Sequence, residues 1–474
     1  MKKTLFTILA IAALVSACNT KENITPDPKT EGVPFIATVQ ADDEAYTRAV
    51  TESGGNIAVA FNEGELIALV YEVGSNIYKT DAEVTSVDGA GNATISATLQ
   101  AGVVDGTAVT LIYPSSVATA GGDVAPSALA TQDGTLSAAR DVRKGTGSIK
   151  VNGTATLASG ATLDAQFSIC KFSVKDVDGT NDLSVSSFVV KDDDNHIITT
   201  VTPATDASTL YVSLPTSSDL LWFEAVAGGE PYIAKGTASL TAGNYYTPTI
   251  KMATIFNVIG ANGKYYKDKA GAVAAGTTAS AIIASLGEDT AESAYPHGLA
   301  IAMAVAGGTR RWQESNGIAN PNQYSTYDLA LAAKESGSAL SAGKNDETAY
   351  PAFYYALNNS ITAATGITNA KPSSGTSNWF LPSAYQINLI IKGMRGSSDD
   401  LTTMSNNALR GTDLYTPLHN AGFNSTTPWN SLGNYVQTST EVSDSQAWTY
   451  CTAGKLEAKA KTNYSGYVIS TLAF

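Results

Sequence analysis

At 474 residues the chain has room for two or three domains of ordinary size, each able to bury its own core. Its 43 Asp and Glu outweigh 29 Lys and Arg, and a net charge of −14 argues against a nucleic-acid or anionic-membrane partner, because a phosphate backbone rewards clustered cations. Only 15% of residues are charged and 43% are hydrophobic, in a chain rich in Thr, Ser, Ala, Val and Gly, which suits half-buried strands joined by small-residue turns and predicts an extracellular, β-rich protein.

The chain starts with Lys2-Lys3, an apolar run from Leu5 to Val15, and Ser16-Ala17-Cys18. A charged start before an apolar stretch too short for an ordinary membrane span is the pattern of a secretory signal. Val15-Ser16-Ala17-Cys18 resembles a bacterial lipobox. That resemblance implies cleavage before Cys18, lipid on Cys18, and export from the cytoplasm of a Gram-negative cell; a plain signal peptide with an incidental Cys18 is the other reading. Residues 19–32 are polar with two prolines and read as a tether. Cys170 and Cys451 are far apart and are expected to be buried thiols rather than a disulfide pair.

From Val33 the sequence alternates with period two, the mark of sheets with one wet face. Predicted strands cover residues 33–39, 57–61, 65–71 and 107–114, then, from a second run beginning near Gly147, 148–151, 165–174, 187–190, 220–226 and 245–252. Asp192-Asp193-Asp194-Asn195-His196 reads as a hairpin turn or, alternatively, a calcium loop, although it lacks the bidentate Glu and the spacing of such loops. Beyond Met252 the texture changes to helix-compatible stretches at 268–286 and 381–394, long Ser, Thr, Gly and Asn-rich connections, and a strand-like segment at 464–474. Leu381-Pro382-Ser383 reads as a helix start with Ser383 as cap, and Tyr385, Ile387, Leu389, Ile390 and Met394 form the apolar face.

Four segments in the first half carry a resemblance. Phe61-Asn62-Glu63-Gly64-Glu65-Leu66-Ile67, Leu111-Ile112-Tyr113-Pro114, Ala165-Gln166-Phe167-Ser168-Ile169-Cys170-Lys171-Phe172 and Leu240-Thr241-Ala242-Gly243-Asn244-Tyr245-Tyr246 resemble, in order, strands of the Bacteroidetes-type fimbrillin family. The resemblance covers roughly 33–252. It implies two tandem β-sandwich subdomains of a type V pilus component, exported as a lipoprotein and matured by an arginine-specific protease. In that scheme the first strand is cut away, and a neighbouring subunit fills the groove with its own strand. Arg48-Ala49 follows the 33–39 strand and fits such a cut; an ordinary surface Arg in a loop is the other reading.

In the second half, Ser377-Asn378-Trp379-Phe380-Leu381-Pro382-Ser383 resembles a signature of bacterial lectin-like domains related to C-type lectins and to the formylglycine-generating-enzyme fold. Pro296 to Met303, Thr438-Ser439-Thr440-Glu441, read as a turn, and Tyr467 to Phe474 resemble further pieces in the same order. Val468-Ile469 stands where that group has Val-Arg, and the calcium-site tripeptides of sugar-binding C-type lectins are missing. Trp379 is expected in the core. Trp312, Trp429 and Trp448, in loop-like surroundings, are candidates for stacking on a sugar, with edge packing as the alternative.

No zinc, nucleophile-elbow, Cys-x-x-Cys or phosphate-loop motif is found, and the three His at 196, 297 and 419 are widely separated. The expectation is a non-enzyme without metal or cofactor. Its fold class is mainly β, with a signal at 1–18, a tether at 19–32, fimbrillin sandwiches at 33–145 and 146–252, and an α+β lectin-like domain at 253–474. The expected function is a fimbrial tip adhesin, because residues up to 474 are spent inside a lectin-like domain rather than free to be lent as a strand. Expected partners are an adjacent pilus subunit that donates a strand, a host or bacterial surface glycan or protein, and the outer membrane through lipid on the precursor. An outer-membrane-anchored pilus base or a free surface glycan-binding lipoprotein is the alternative. A hydrolase acting on surface glycans would need a carboxylate pair or metal site that the sequence does not display.

Overall fold

A computed structural model of the chain describes residues 32–41, 51–53, 56–58, 61–137, 140–287, 289–317, 319–362, 364–425 and 427–474. Cys18, the tether up to residue 31, Arg48 and Ala49 lie outside the described residues. The structure is mainly β, as the composition predicts.

The first sheet has eight strands and returns on itself. Its order is Thr154–Leu157, Val33–Ala41, Ala161–Ala165, Arg143–Asn152, Ala108–Tyr113, Leu66–Val73, Asn76–Val87 and Ala93–Leu99, and the last strand pairs back onto Val33–Ala41. Alternation along each strand turns one set of side chains inward, so Phe35, Ile67, Leu69, Val84, Ile95 and Leu111 fill a closed barrel and are fully buried. Gly145 permits the tightest approach: a Cβ there would strike the Thr162 carbonyl and lie 2.7 Å from Leu163 Cδ2.

This barrel runs past the expected division at 145/146. Arg143–Asn152, Thr154–Leu157 and Ala161–Ala165 all pair within it, whereas Thr131–Gln132 pairs in parallel with Ile197–Val201 in the next sheet. Period-two alternation marks a strand without naming its sheet, which is why the sequence divided the chain too early. The Gln132 side chain is buried there, donating to the Ser213 carbonyl (2.8 Å) and Thr199 Oγ1 (3.1 Å) and accepting from Ser213 N–H (2.9 Å).

Two sheets make the next unit. Ser168–Asp176 pairs with Thr209–Leu214, Tyr245–Tyr246 and Thr249–Met252; the facing sheet is ordered Glu230–Thr237, Leu220–Ala227, Ser187–Lys191, Ile197–Val201 and Thr131–Gln132. Phe172, Phe188 and Phe223 meet between them with ring centroids 5.3 to 5.8 Å apart. Cys170 joins this core, and burial pushes its thiol up to about 12. Cys451 is also a buried free thiol.

Beyond Met252 lie two more five-stranded sheets. One is ordered Tyr265–Tyr266, Val258–Gly260, Ala279–Leu286, Gly298–Ala302 and Thr471–Ala473; the other Thr309–Arg311, Ser465–Tyr467, Tyr435–Ser443, Gln446–Cys451 and Lys455–Ala460. The stretch at 268–286 is therefore only partly helical. Asp268 caps Lys269–Ala274 through Gly271 N–H (2.8 Å), Gly276 at φ 76° follows the helix, and Ala279–Leu286 becomes a central strand. Ala281-Ile282-Ile283-Ala284 is buried on both faces, so it has no amphipathic period by which helix and strand could be told apart. The segment at 464–474 is divided between the two sheets.

The helix read at 381–394 is Ala384–Arg395. Ser383 and Gln386 form a reciprocal capping box, and Gly396 closes the far end in the left-handed conformation. Ile387, Ile390 and Met394 are buried, as the apolar face predicts. Ser383 Oγ also donates to the Glu335 carbonyl (2.7 Å). Ser383→Ala is expected to lower stability by about 0.5–2 kcal/mol, the range of a lost N-cap, read as a shift in the denaturant midpoint; an unchanged midpoint would mean the cap is dispensable. Among the described residues no helix is long and apolar enough to cross a membrane.

Candidate functional site

Val33–Ala41 is held on both edges. Its antiparallel register with Ala93–Leu99 runs from Val33 opposite Leu99 to Val39 opposite Ala93. On the other edge Phe35 stands opposite Ala155, and Val39, Gln40 and Ala41 stand opposite Ala161, Thr162 and Leu163, all in parallel. Phe35, Ala37, Val39 and Ala41 point into the barrel while Pro34, Ile36, Thr38 and Gln40 face out. Phe35 and Val39 are fully buried, a gain of roughly 1.5–3 kcal/mol each. Without this strand the barrel would have two facing edges of unpaired backbone groups and an apolar slot of matching period. Nearby, Phe61 packs edge-on against Tyr113 (centroids 5.2 Å), and Gly64 N–H donates to the Val84 carbonyl (2.9 Å), fixing the loop before Leu66–Val73.

The four second-half segments singled out in the sequence converge. Phe380 and Thr471 exchange both backbone hydrogen bonds (2.9 and 3.0 Å), Ser377 Oγ accepts from Ala473 N–H (2.9 Å), and Gly298–Ala302 pairs with Thr471–Ala473. Ser439 N–H donates to the Pro382 carbonyl (2.8 Å), and Thr440 Oγ1 accepts from Ala384 N–H (2.9 Å) at the helix start. Thr438 to Glu441 is thus not the expected turn: it lies in the strand Tyr435–Ser443, where the register with Gln446–Cys451 shifts between Gln437 and Glu441. The bulge aims Glu441 inward.

Glu441 and Lys461 form a fully buried ion pair at 3.1 Å. Glu441 Oε1 also accepts from the N–H groups of Ala319 (2.7 Å) and Asn320 (3.0 Å), and Lys461 Nζ donates to the Gly317 carbonyl (2.9 Å). Burial holds the Lys461 ammonium below the usual lysine range, against the pull of Glu441. The pair anchors Gly317, Ala319 and Asn320.

Trp312, Trp429 and Trp448 are 1%, 1% and 4% exposed, which corrects the expectation that they stack on a sugar. Trp312 donates its indole N–H to the Thr438 carbonyl (2.7 Å) and meets Phe353 edge-on at 4.8 Å, with the Lys461 ammonium 4.7 Å from its ring centre. Trp448 donates to the Tyr324 carbonyl (3.0 Å), and Trp429 packs near Tyr450. Strand, helix and loop residues distant in sequence pack against these rings, so polar neighbours in sequence did not mean exposure. Trp379 is in the core as expected, donating to the Asn369 carbonyl (3.1 Å).

A junction that sequence reading missed joins the second unit to the last. Trp222 stacks on His297 at 3.9 Å and 17°. His297 Nδ1 donates to Glu224 Oε1 (2.9 Å), which also meets Lys191 Nζ at 2.9 Å. Burial alone would raise the Glu224 carboxyl, but the His297 and Lys191 hydrogen bonds outweigh it and hold it below its ordinary range. The Lys235 ammonium lies 5.1 Å from the Trp222 ring centre and 5.6 Å from that of Tyr265. Burial lowers its pKa from 10.5 to about 8. Below about pH 8 both folded and unfolded states hold this proton. Between about 8 and 10.5 only the unfolded state does, so folding gains stability as pH rises through that window. Tm measured across it is expected to carry this gain in the parent and to lose it in Lys235→Met; identical profiles would contradict the assignment.

No protein-family model matches the chain, and no curated protein matches it. Among solved structures it is similar to a fimbrial protein from Bacteroides ovatus, at 13% identity over 94% of this chain and 100% of that one, with a TM-score of 0.32. A putative cell adhesion protein from Bacteroides fragilis is similar at 12% identity over 46% of this chain and 92% of its own, TM-score 0.30. A shaft pilin from Lactobacillus rhamnosus is similar at 9% identity over 48% and 99%, TM-score 0.22.

Proposed function

We propose that the chain is a pilus-associated surface adhesin, exported on its lipobox leader and assembled by replacement of Val33–Ala41 with a strand from a neighbouring subunit. The observation that carries this reading is the strand itself: clamped on both edges, alternating apolar inward, and followed in the sequence by Arg48-Ala49. Cleavage there would release one self-contained element from the barrel and leave a slot that main-chain hydrogen bonds and alternate side chains of a donor strand can fill. The convergence of the four lectin-like segments supports an outward-facing recognition role for the last unit. The reading places the chain at the pilus tip, with the last unit as the part that meets a ligand.

The test is the N-terminal sequence and lipid state of the mature protein taken from the cell surface. A start at Ala49 without lipid is expected. An acylated Cys18 start would overturn strand removal and favour a membrane-anchored base or a free glycan-binding lipoprotein. Immunogold labelling along the pilus shaft would overturn the tip position alone.

A further inference from the structure

A cavity of about 390 Å³ opens at the junction, between the turn that joins Ser187–Lys191 to Ile197–Val201 and the segment 293–297. It is within the ordinary range of about 300–1,000 Å³ for small-molecule sites and larger than a few ordered waters need. Asp193, Asp194 and Asn195 line it from one unit, and Ser293, Tyr295 and His297 from the other, with Trp222 and Phe474 as apolar wall.

Two of its lining groups are buried acceptors without a partner. His297 is 2% exposed; its Nδ1 is engaged with Glu224, and Nε2, an acceptor in a neutral imidazole, has no partner. The Asn195 side-chain oxygen is likewise buried and unmatched. A buried acceptor left unpaired has lost its water without gaining a partner, so each is a standing demand for a donor. The Asp193 and Asp194 carboxylates, exposed at the turn, add acceptors on the same side. Asp193 already feels the Lys235 ammonium, and among the described residues no group of three His, Cys, Asp or Glu is arranged to hold a metal ion.

We propose that this cavity binds a neutral polyhydroxylated molecule the size of a single sugar ring, whose hydroxyls donate to His297 Nε2, the Asn195 side chain and the two carboxylates. The site needs neither cleavage nor pilus assembly, so its failure would leave the strand-removal reading standing, and the reverse holds as well.

The test is titration of the purified full chain with galactose, mannose, fucose and N-acetylgalactosamine, followed by calorimetry and by tryptophan fluorescence. Saturable binding of at least one is expected. It should weaken at least about tenfold, or about 1.4 kcal/mol, in Asp193→Ala/Asp194→Ala, with the unfolding midpoint unchanged because both residues are exposed at a turn. His297→Gln should also lose binding, but it removes the Glu224 contact as well, so the aspartate variant is decisive. Three outcomes would overturn the proposal: no saturable binding of any of the four sugars, unchanged affinity in the aspartate variant, or saturation by ethylammonium or calcium in place of the sugars.

Discussion

A chain beginning at Ala49 is expected to show fast hydrogen exchange along Ala93–Leu99 and Ala161–Ala165, and a synthetic peptide of residues 33–41 should restore slow exchange. The magnitude follows from what leaves. Truncating a buried Phe costs about 3–5 kcal/mol, and Phe35 is accompanied by Ala37, Val39, Ala41 and the backbone pairs on both edges. Against a typical total of about 5–15 kcal/mol, that loss brings the barrel to the limit of stability while the sheets beyond Ser168 keep their own cores. Two controls sharpen the result. Peptide with Phe35→Ala should rescue poorly, and peptide with Ile36→Ala, at an outward position, should rescue well. Slow exchange in the truncated chain without peptide would mean that the strand is dispensable and the groove is not an acceptor.

Breaking the Glu441–Lys461 pair from one side should cost about 3–5 kcal/mol, because it strands a charge that has no water to return to. Glu441→Gln retains an acceptor for Ala319 and Asn320 but leaves the Lys461 ammonium unmatched. Lys461→Met retains the volume near Trp312 but leaves the Glu441 carboxylate with only the neutral donors of Ala319, Asn320 and the Gln323 amide. The double variant is expected to be more stable than the sum of the single losses implies, since no charge remains buried. Denaturant midpoints measure the cycle, and proteolysis at residues 313–324 reports whether the loop has come loose. Additive losses would mean that the two charges do not depend on each other.

What was legible in the sequence is what local pattern controls. Alternation at 33–39, 65–71 and 220–226 gave strands near their observed places, and Leu381-Pro382-Ser383 gave a helix with its cap. Partnership was not legible. Thr131–Gln132 is too short to carry a period, and its membership in the second unit is decided by one side chain's hydrogen bonds to residues more than sixty positions away. Ala279–Leu286 is apolar on both faces, so its period was silent. The tryptophans failed for a related reason: burial is settled by which elements pack against a ring, and Tyr324, Phe353 and Thr438 are distant in sequence from the indoles they meet. The junction cavity escaped because Asp193 and His297 reside in separate units and are brought together by the stacking of Trp222 and the Glu224 hydrogen bond, both tertiary contacts. A signal was present in Asp192 to His196, which is denser in oxygen ligands than a hairpin turn requires.

The Gln132 clasp has a mechanical consequence. The link between barrel and second unit is not a single covalent thread. The chain leaves the barrel after Tyr113, lays Thr131–Gln132 into the second unit's sheet, and returns to the barrel at Arg143. Force drawn between the two bodies therefore loads this short parallel rung and three side-chain hydrogen bonds alongside the direct connection at residues 166–167, sharing the strain across two routes.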